Sequence, residues 1–523
     1  MLDVLLRNAR VLDGSGNPWF RADVGVQGDR IVKIGALADA EAGRTIDCGG
    51  RVLSPGFIDM HSHADVMLLA EPDHEGKIFQ GCTTDVLGQD GLSYAPVSPP
   101  TLQMLRRHIA ALNGDPDIDW DWTTVASFLA RFDRKVSVNV AFLVPHCAVR
   151  AEVMGMEDRL TTPAELDRMK ALVDEGMADG AVGFATGLDY TPNFWSDTDE
   201  LVELCKVVAR RGGIYVTHVR YALGDGILDP VAEAIEIARR SGVRLQISHL
   251  RGDKLGKAMT PEVVLGQLEV ARAEGIDVTF DNYPYTRGSS LLHRLVPEWS
   301  HVGGPNALLA RLEDASLRDR IYREMDAAGT DWAEVRMASV NSADGGTFEG
   351  WSVSEAANEA GKRAAEYVCD LLVETGLGVS YVSQATSSEE SLGTMLASPL
   401  ATHGSDGLCI GSRRHPRTYG SFARVLGEYV RERKVMELPE AVRKMTSSPA
   451  SRLGLQDRGL VRAGLIADLA VWDEATIADR STYEQPLTTA AGVSHVLVSG
   501  QLVLEDGKHT GAKAGRALKP LLG

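Results

Sequence analysis

His61 and His63 stand one residue apart at the end of the apolar run Val52 to Asp59. Side chains alternate along a strand, so two histidines at that spacing face the same way and can hold one metal ion. An isolated pair of this kind also occurs by chance on a surface. What separates the two readings is whether ligand-type residues close other strands as well. Asp90 follows Thr83 to Gln89, His218 closes Gly213 to Thr217, His249 closes Arg244 to Ser248, and Asp406 follows Ala401 to Ser405. A lone histidine after a strand is usually structural, whereas this whole set predicts a metal-dependent enzyme.

Those residues are far apart in the chain, so the fold must bring strand ends together. Apolar runs at Val136 to Phe142, Ala181 to Ala185, Gly213 to Thr217, Arg244 to Ser248 and Ile276 to Phe280 alternate with helix-length segments such as Pro163 to Asp179 and Pro230 to Ser241. Repeated strand and helix units imply a parallel sheet. With the runs ending at His61, Gly88 and Asp406 the count reaches eight, which predicts an α/β fold of the (β/α)8 TIM-like barrel type, over residues 55–448. Val379 to Val382 is one strand candidate more than that barrel needs.

The ends of the chain read differently. Residues 1–54 and 449–523 are rich in short strand-like pieces and turn signals such as Asp13-Gly14 and Gly28-Asp29. Neither end alone could bury a core, so both are expected to build one small composite β-sandwich. Residues 288–345 exceed an ordinary connection and are expected to form an insertion or lid over the site.

Composition narrows the partners. With 54 basic against 72 acidic residues, the formal charge of -18 excludes a nucleic-acid surface and favours a small-molecule substrate. Six scattered cysteines lack the pairing of a zinc ribbon and the density of a secreted disulfide scaffold. An acid at Asp3 and the absence of a long apolar stretch argue against a signal peptide or membrane span, so a cytoplasmic location is expected. Nothing in the residues sets the oligomeric state.

The segment Pro55-Gly56-Phe57-Ile58-Asp59-Met60-His61-Ser62-His63, with His218, His249 and Asp406 behind it, resembles the amidohydrolase superfamily. Gly81-Cys82-Thr83-Thr84, Gly91 to Pro96, Asp281-Asn282-Tyr283-Pro284-Tyr285 and His415-Pro416-Arg417 are more narrowly similar to the N-acyl-D-amino-acid deacylases. The resemblance implies a zinc enzyme, with one or two ions, that cleaves a linear amide bond to release a D-amino acid. It also implies that Arg251, Tyr283, Ser290 and Arg294 hold the substrate carboxylate. One position departs from the pattern: the deacylases typically carry Asn-Cys-Gly, the cysteine a zinc ligand, where this chain has Gln89-Asp90-Gly91. Asp90 offers a harder oxygen donor that could bridge two ions, and read alone it could also merely cap a turn.

Amide hydrolysis needs a nucleophile at neutral pH and relief of oxyanion charge, and a divalent ion supplies both. His218, His249 and Asp90 would form the tighter site, with His61 and His63 completing a second. Asp406 is the candidate general base, with metal contact as a further role and a simple Asp-Gly turn as the alternative. Two other functions stay open: hydrolysis of a cyclic amide or carbamoyl compound, and a catalytically silent binding paralogue. Every expected ligand position is filled, which weighs against the latter.

Overall fold

In a computed structural model the chain is described over residues 1–221, 229–253, 259–341 and 347–520. Eight strands form the central wall: β1 Phe57–Asp59, β2 Cys82–Leu87, β3 Asn139–Pro145, β4 Gly183–Gly187, β5 Ile214–His218, β6 Arg244–Ile247, β7 Val278–Asn282 and β8 Ala401–His403. Each pairs in parallel with the next. The Met60 N–H donates to the His403 carbonyl at 3.1 Å, which closes β8 onto β1.

The period-2 pattern sorts the strand side chains. Ile214 and Val216 point inward with Ile58, Val86 and Leu143, whereas Tyr215, Phe142 and Phe184 pack outward against the helices. His218 continues the inward phase of β5. The floor of the barrel is plugged by Leu453, Leu455 and Leu518. The stretch 449–523 therefore does not serve a sandwich alone: the helix Ser447–Arg452 and the tail around Leu518 seal the barrel from below. Two of the outer helices have the expected bounds for local reasons. Pro163–Asp179 starts at a Thr162/Glu165 capping box with proline in its first turn and stops at Gly180. Pro230–Ser241 is capped by Asp229 and ends at left-handed Gly242.

Strands from both termini, five up to Val52–Pro55 and four from Leu469–Trp472 onward, hydrogen-bond into one continuous nine-stranded sheet. It wraps a core in which Val24 and Val26 meet Leu53, Leu469 and Leu497.

Between β7 and β8 lies a cap with its own core, including Leu292, Leu308, Leu312, Ile321 and Leu372. Its sheet joins Arg287–Leu291, Val379–Ala385 and Arg336–Val340, all antiparallel. The surplus strand candidate at Val379 to Val382 thus belongs to the cap, because an apolar run marks burial without saying in which sheet. The cap reaches residue 385, well beyond the expected 288–345; residues 342–345 of that stretch lie outside the described ones.

Candidate metal centre

The six strand-end residues converge. His61, His63, Asp90 and Asp406 place one donor atom each within 4.8 Å of one another, and so do Asp90, His218 and His249. Asp90 belongs to both groups. The two histidines of the first run point together, with Nε2 atoms 3.3 Å apart. They do not share one strand: His61 falls in a break between β1 and the short Ser62–His63 strand, which pairs with Gly407–Leu408. His218 Nδ1 and His249 Nε2 lie 3.0 Å apart. Around Asp90, Oδ1 stands 3.5 Å from His61 and 3.6 Å from His249, and Oδ2 stands 3.6 Å from both His63 and His218. Asp406 Oδ1 is 3.2 Å from His63 and 3.6 Å from His61.

The backbone bends sharply to present these groups. Asp90, His249 and Asp406 have φ of 54°, 34° and 50°, a left-handed region unfavourable to ordinary side chains and often found at functional sites. The Asp90 turn nests between β3 and β4. A Cβ at Gly187 would lie 2.2 Å from the Asp90 carbonyl oxygen, and one at Gly91 2.6 Å from that of Ala185, so only glycine lets Asp90 approach.

Two further carboxylates stand behind the imidazoles. Asp281 Oδ1 accepts from the His249 backbone N–H at 2.9 Å and faces His61 Nδ1 at 3.4 Å. Asp189 Oδ2 lies 3.0 Å from His218 Nε2 and is shared with Arg294 at 2.7 Å. At His218 one ring nitrogen is thus held by a carboxylate while the other points at the centre, an arrangement that fixes tautomer and raises donor strength. Below, Asp59 accepts from the His61 and Ser405 N–H groups at 3.0 and 2.8 Å and pairs with fully buried Lys77. That link ties the start of the circuit to its end.

Electrostatics match this layout. Burial opposes charge on His61, yet Asp90, Asp281 and Asp406 raise its pKa to about 9. Burial likewise opposes charge on Asp406, but Arg417, followed by His63 and His61, holds it well below the ordinary carboxylate range. Asp90 is held low against burial by His61, His218 and His249. Asp90 Oδ1 is buried without a hydrogen-bond partner among the described residues. Facing imidazole nitrogens around an unsatisfied carboxylate oxygen form a donor set suited to divalent cations.

A cavity of about 430 Å³ opens onto this cluster between barrel and cap. Arg251, Tyr283, Ser290 and Arg294 all line it, together with Tyr190 and Tyr381. Arg251 and Arg417 stand over the Tyr283 ring at 4.3 and 4.6 Å from its centroid. Arg417 was quoted in a motif but given no role by sequence reasoning. It is fully buried, its Nη1 is 2.7 Å from Asp406 Oδ2, and none of its guanidinium nitrogens makes a well-aligned hydrogen bond among the described residues. Asp189 and Tyr190 carried no sequence signal, because their partners lie on β5 and in the cap.

The six cysteines are unbonded and buried, and among the described residues no helix is long and apolar enough to cross a membrane.

Comparison with known proteins agrees with the geometry. D-aminoacylase of Alcaligenes xylosoxydans xylosoxydans is 36% identical over 99% of this chain and 97% of its own length. N-acyl-D-glutamate deacylase of the same organism is 34% identical over 95% and 93%. The crystal structure of N-acyl-D-glutamate deacylase from Bordetella bronchiseptica, complexed with zinc and a phosphonate mimic of the tetrahedral intermediate, superimposes with a TM-score of 0.83, at 30% identity and 99% coverage of both chains. The amidohydrolase family model matches residues 44–504, and the chain belongs to that family.

Proposed function

We propose that this protein is a metal-dependent hydrolase of the amide bond of N-acyl-D-amino acids or D-dipeptides, releasing the free D-amino acid. The observation that carries the proposal is the sharing of Asp90 by two donor groups at the floor of a cavity whose wall presents Arg251 and Tyr283. His61, His63, Asp90, His218 and His249, with Asp406 at the edge, would hold one or two divalent ions, zinc by analogy with the complexed relative. Such ions, when bound, supply a water acidified to neutral pH and a polarised carbonyl.

The chain's own groups do the rest. Arg251 spends two nitrogens on the carbonyls of Thr286 and Tyr285, which fixes its plane and leaves donors free for a substrate carboxylate. Tyr283, braced between two guanidinium groups, and Ser290 complete that anchor. A carboxylate held there sets the neighbouring amide over the histidine and aspartate cluster. Asp406, kept ionised by Arg417, takes the proton of the attacking water and delivers it to the departing nitrogen. A cavity of this size suits a small linear amide rather than a polymer. The scattered free cysteines fit a cytoplasmic protein, which is part of this reading.

The test is release of free amino acid from matched N-acetyl-D- and N-acetyl-L-amino-acid panels by zinc-loaded enzyme. Hydrolysis confined to D substrates is expected, and Asp406→Asn should lower kcat by roughly 10³-fold. Equal turnover of both panels, or none with metal bound, sinks the proposal; cleavage of hydantoins instead would select the cyclic-amide alternative.

A further inference from the structure

Lys77, on the short helix Glu75–Ile78, is fully buried beneath the metal centre and does not line the catalytic cavity. Its Nζ donates to Asp59 Oδ2 and to Ser405 Oγ. The other oxygen of Asp59 accepts from the backbone N–H groups of His61 and Ser405, at 3.0 and 2.8 Å. Asp59 thus grips the residue that opens the first ligand pair and the residue that precedes Asp406. The two loops are also joined to each other. The Asp406 N–H donates to the His61 carbonyl at 2.8 Å, and Ser405 Oγ accepts from the Gly407 N–H at 3.0 Å. All of these bonds serve the donor group that His61, His63 and Asp406 form with Asp90. The other pair has different supports: Asp189 lies against the His218 ring, and Asp281 accepts from the His249 backbone.

Taking an ammonium or a carboxylate out of water is costly, and in a buried pair each offsets the other. Removing one partner leaves the second uncompensated, whereas removing both charges can be nearly neutral. Asp59 is as deeply buried as Lys77, its ion-pair partner. Asp85, the neighbouring buried carboxylate, has partners of its own, Ser62 Oγ at 2.7 Å and His74 Nε2 at 2.8 Å. Asp59 is therefore the group that depends on Lys77. We propose that Lys77 is a positioning residue for the metal centre: its charge holds the Asp59 carboxylate against the His61 and Ser405 N–H groups, and so fixes where His61, His63 and Asp406 present their donor atoms. It acts through the ligands and touches neither ion nor substrate. This role rests on the centre holding metal, as the proposed function has it, and not on which amide is cleaved.

The full chain is stripped with chelator, and its zinc affinity is measured by competitive chelator titration for wild type, Lys77→Met and the double variant Lys77→Met/Asp59→Asn. Methionine fills much the same space as lysine without its charge. Asparagine keeps an oxygen for the two N–H groups and drops the charge of Asp59. Lys77→Met should weaken zinc binding by roughly tenfold or more, because a lone buried carboxylate no longer rests against both loops. The double variant should recover to within about threefold of wild type, which a side chain that merely fills space cannot produce. Unchanged affinity in Lys77→Met overturns the role, and so does a double variant that binds no more tightly than the single one. If Lys77→Met yields no folded protein by circular dichroism, the double variant decides alone: folded, with near wild-type affinity, it supports the role; unfolded or as weak as expected for the single variant, it overturns it. A wild type that binds no zinc overturns the metal-centre reading and this role with it, whereas unchanged affinity in Lys77→Met overturns the role alone.

Discussion

Two groups of buried histidines sit on either side of Tyr190, and they differ in the company they keep. At the barrel rim, His61, His63, His218 and His249 are interleaved with Asp90, Asp189, Asp281 and Asp406. Under the cap, His108, His293 and His301 have backbone carbonyls and one another for neighbours, and among the described residues they join no metal-competent cluster. Both groups are almost wholly buried. Burial alone drives an imidazole toward neutrality, as it does for His301; a carboxylate on each side reverses the outcome, as it does for His61. Within the rim, His249 takes the other course, to about 4, because burial there outweighs the pull of Asp90 and Asp406 and His218 adds repulsion. Among the described residues, the buried histidines that fall into groups able to hold a metal ion are those that carboxylates accompany.

The strongest way to break this contrast is to make the rim resemble the cap. Asp90→Ala removes the one group common to both donor sets, leaving Asp406 as the sole carboxylate in them. Metal content measured by mass spectrometry should fall, by up to two equivalents per chain, and kcat/KM by roughly 10⁴-fold, on the order of 5 kcal/mol of lost transition-state stabilisation. Full metal occupancy in this variant would show that the remaining donors suffice without the carboxylate common to both sets. A smaller effect is expected from Asp189→Asn, which weakens the hold on His218 Nε2 and on Arg294 at once. Zinc affinity should drop by about 10- to 100-fold in a competitive chelator titration, with activity restored by excess metal. Unchanged affinity would mean that packing alone, rather than Asp189, orients His218.

The contrast also explains what could be read from the residues beforehand. The rim was legible because strand ends in a barrel converge, so His61, His63, Asp90, His218, His249 and Asp406 each carried the same local mark, a ligand-type residue after an apolar run. Helices such as Pro163–Asp179 were legible to the residue because their caps are local. The cap group was not. His108 and His293 are separated by most of the barrel sequence, and each alone looks like an ordinary core residue. Arg417 stood in a recognisable motif, yet its contact with Asp406 depends on how the chain returns after β8. The strand at Val379–Ala385 was legible as a strand but not as part of the cap, since apolarity records burial and leaves the choice of partner to the tertiary fold.

The smallest effect sharpens the comparison from the cap side. His301 titrates at about 4 in the folded chain and near 6.5 once unfolded, so the unfolded state binds more protons between those values. The neutral ring's contribution is complete above pH 6.5 and is lost as pH falls toward 4. At pH 5 the loss amounts to about 2 kcal/mol, from 1.36 kcal/mol per unit over the interval below 6.5. His301→Gln keeps a polar side chain of similar reach but cannot take up the proton. Urea unfolding of both proteins at pH 7 and pH 5, with chelator present so that metal linkage cannot contribute, should therefore show a smaller acid penalty for the variant by about that amount. His61 cannot mimic the result: its folded pKa is raised, so its contribution is complete below 6.5, declines only toward pH 9, and is common to both proteins. Identical acid penalties would mean that His301 is not held neutral by burial, and the difference between the two histidine groups would then require a cause other than their carboxylates.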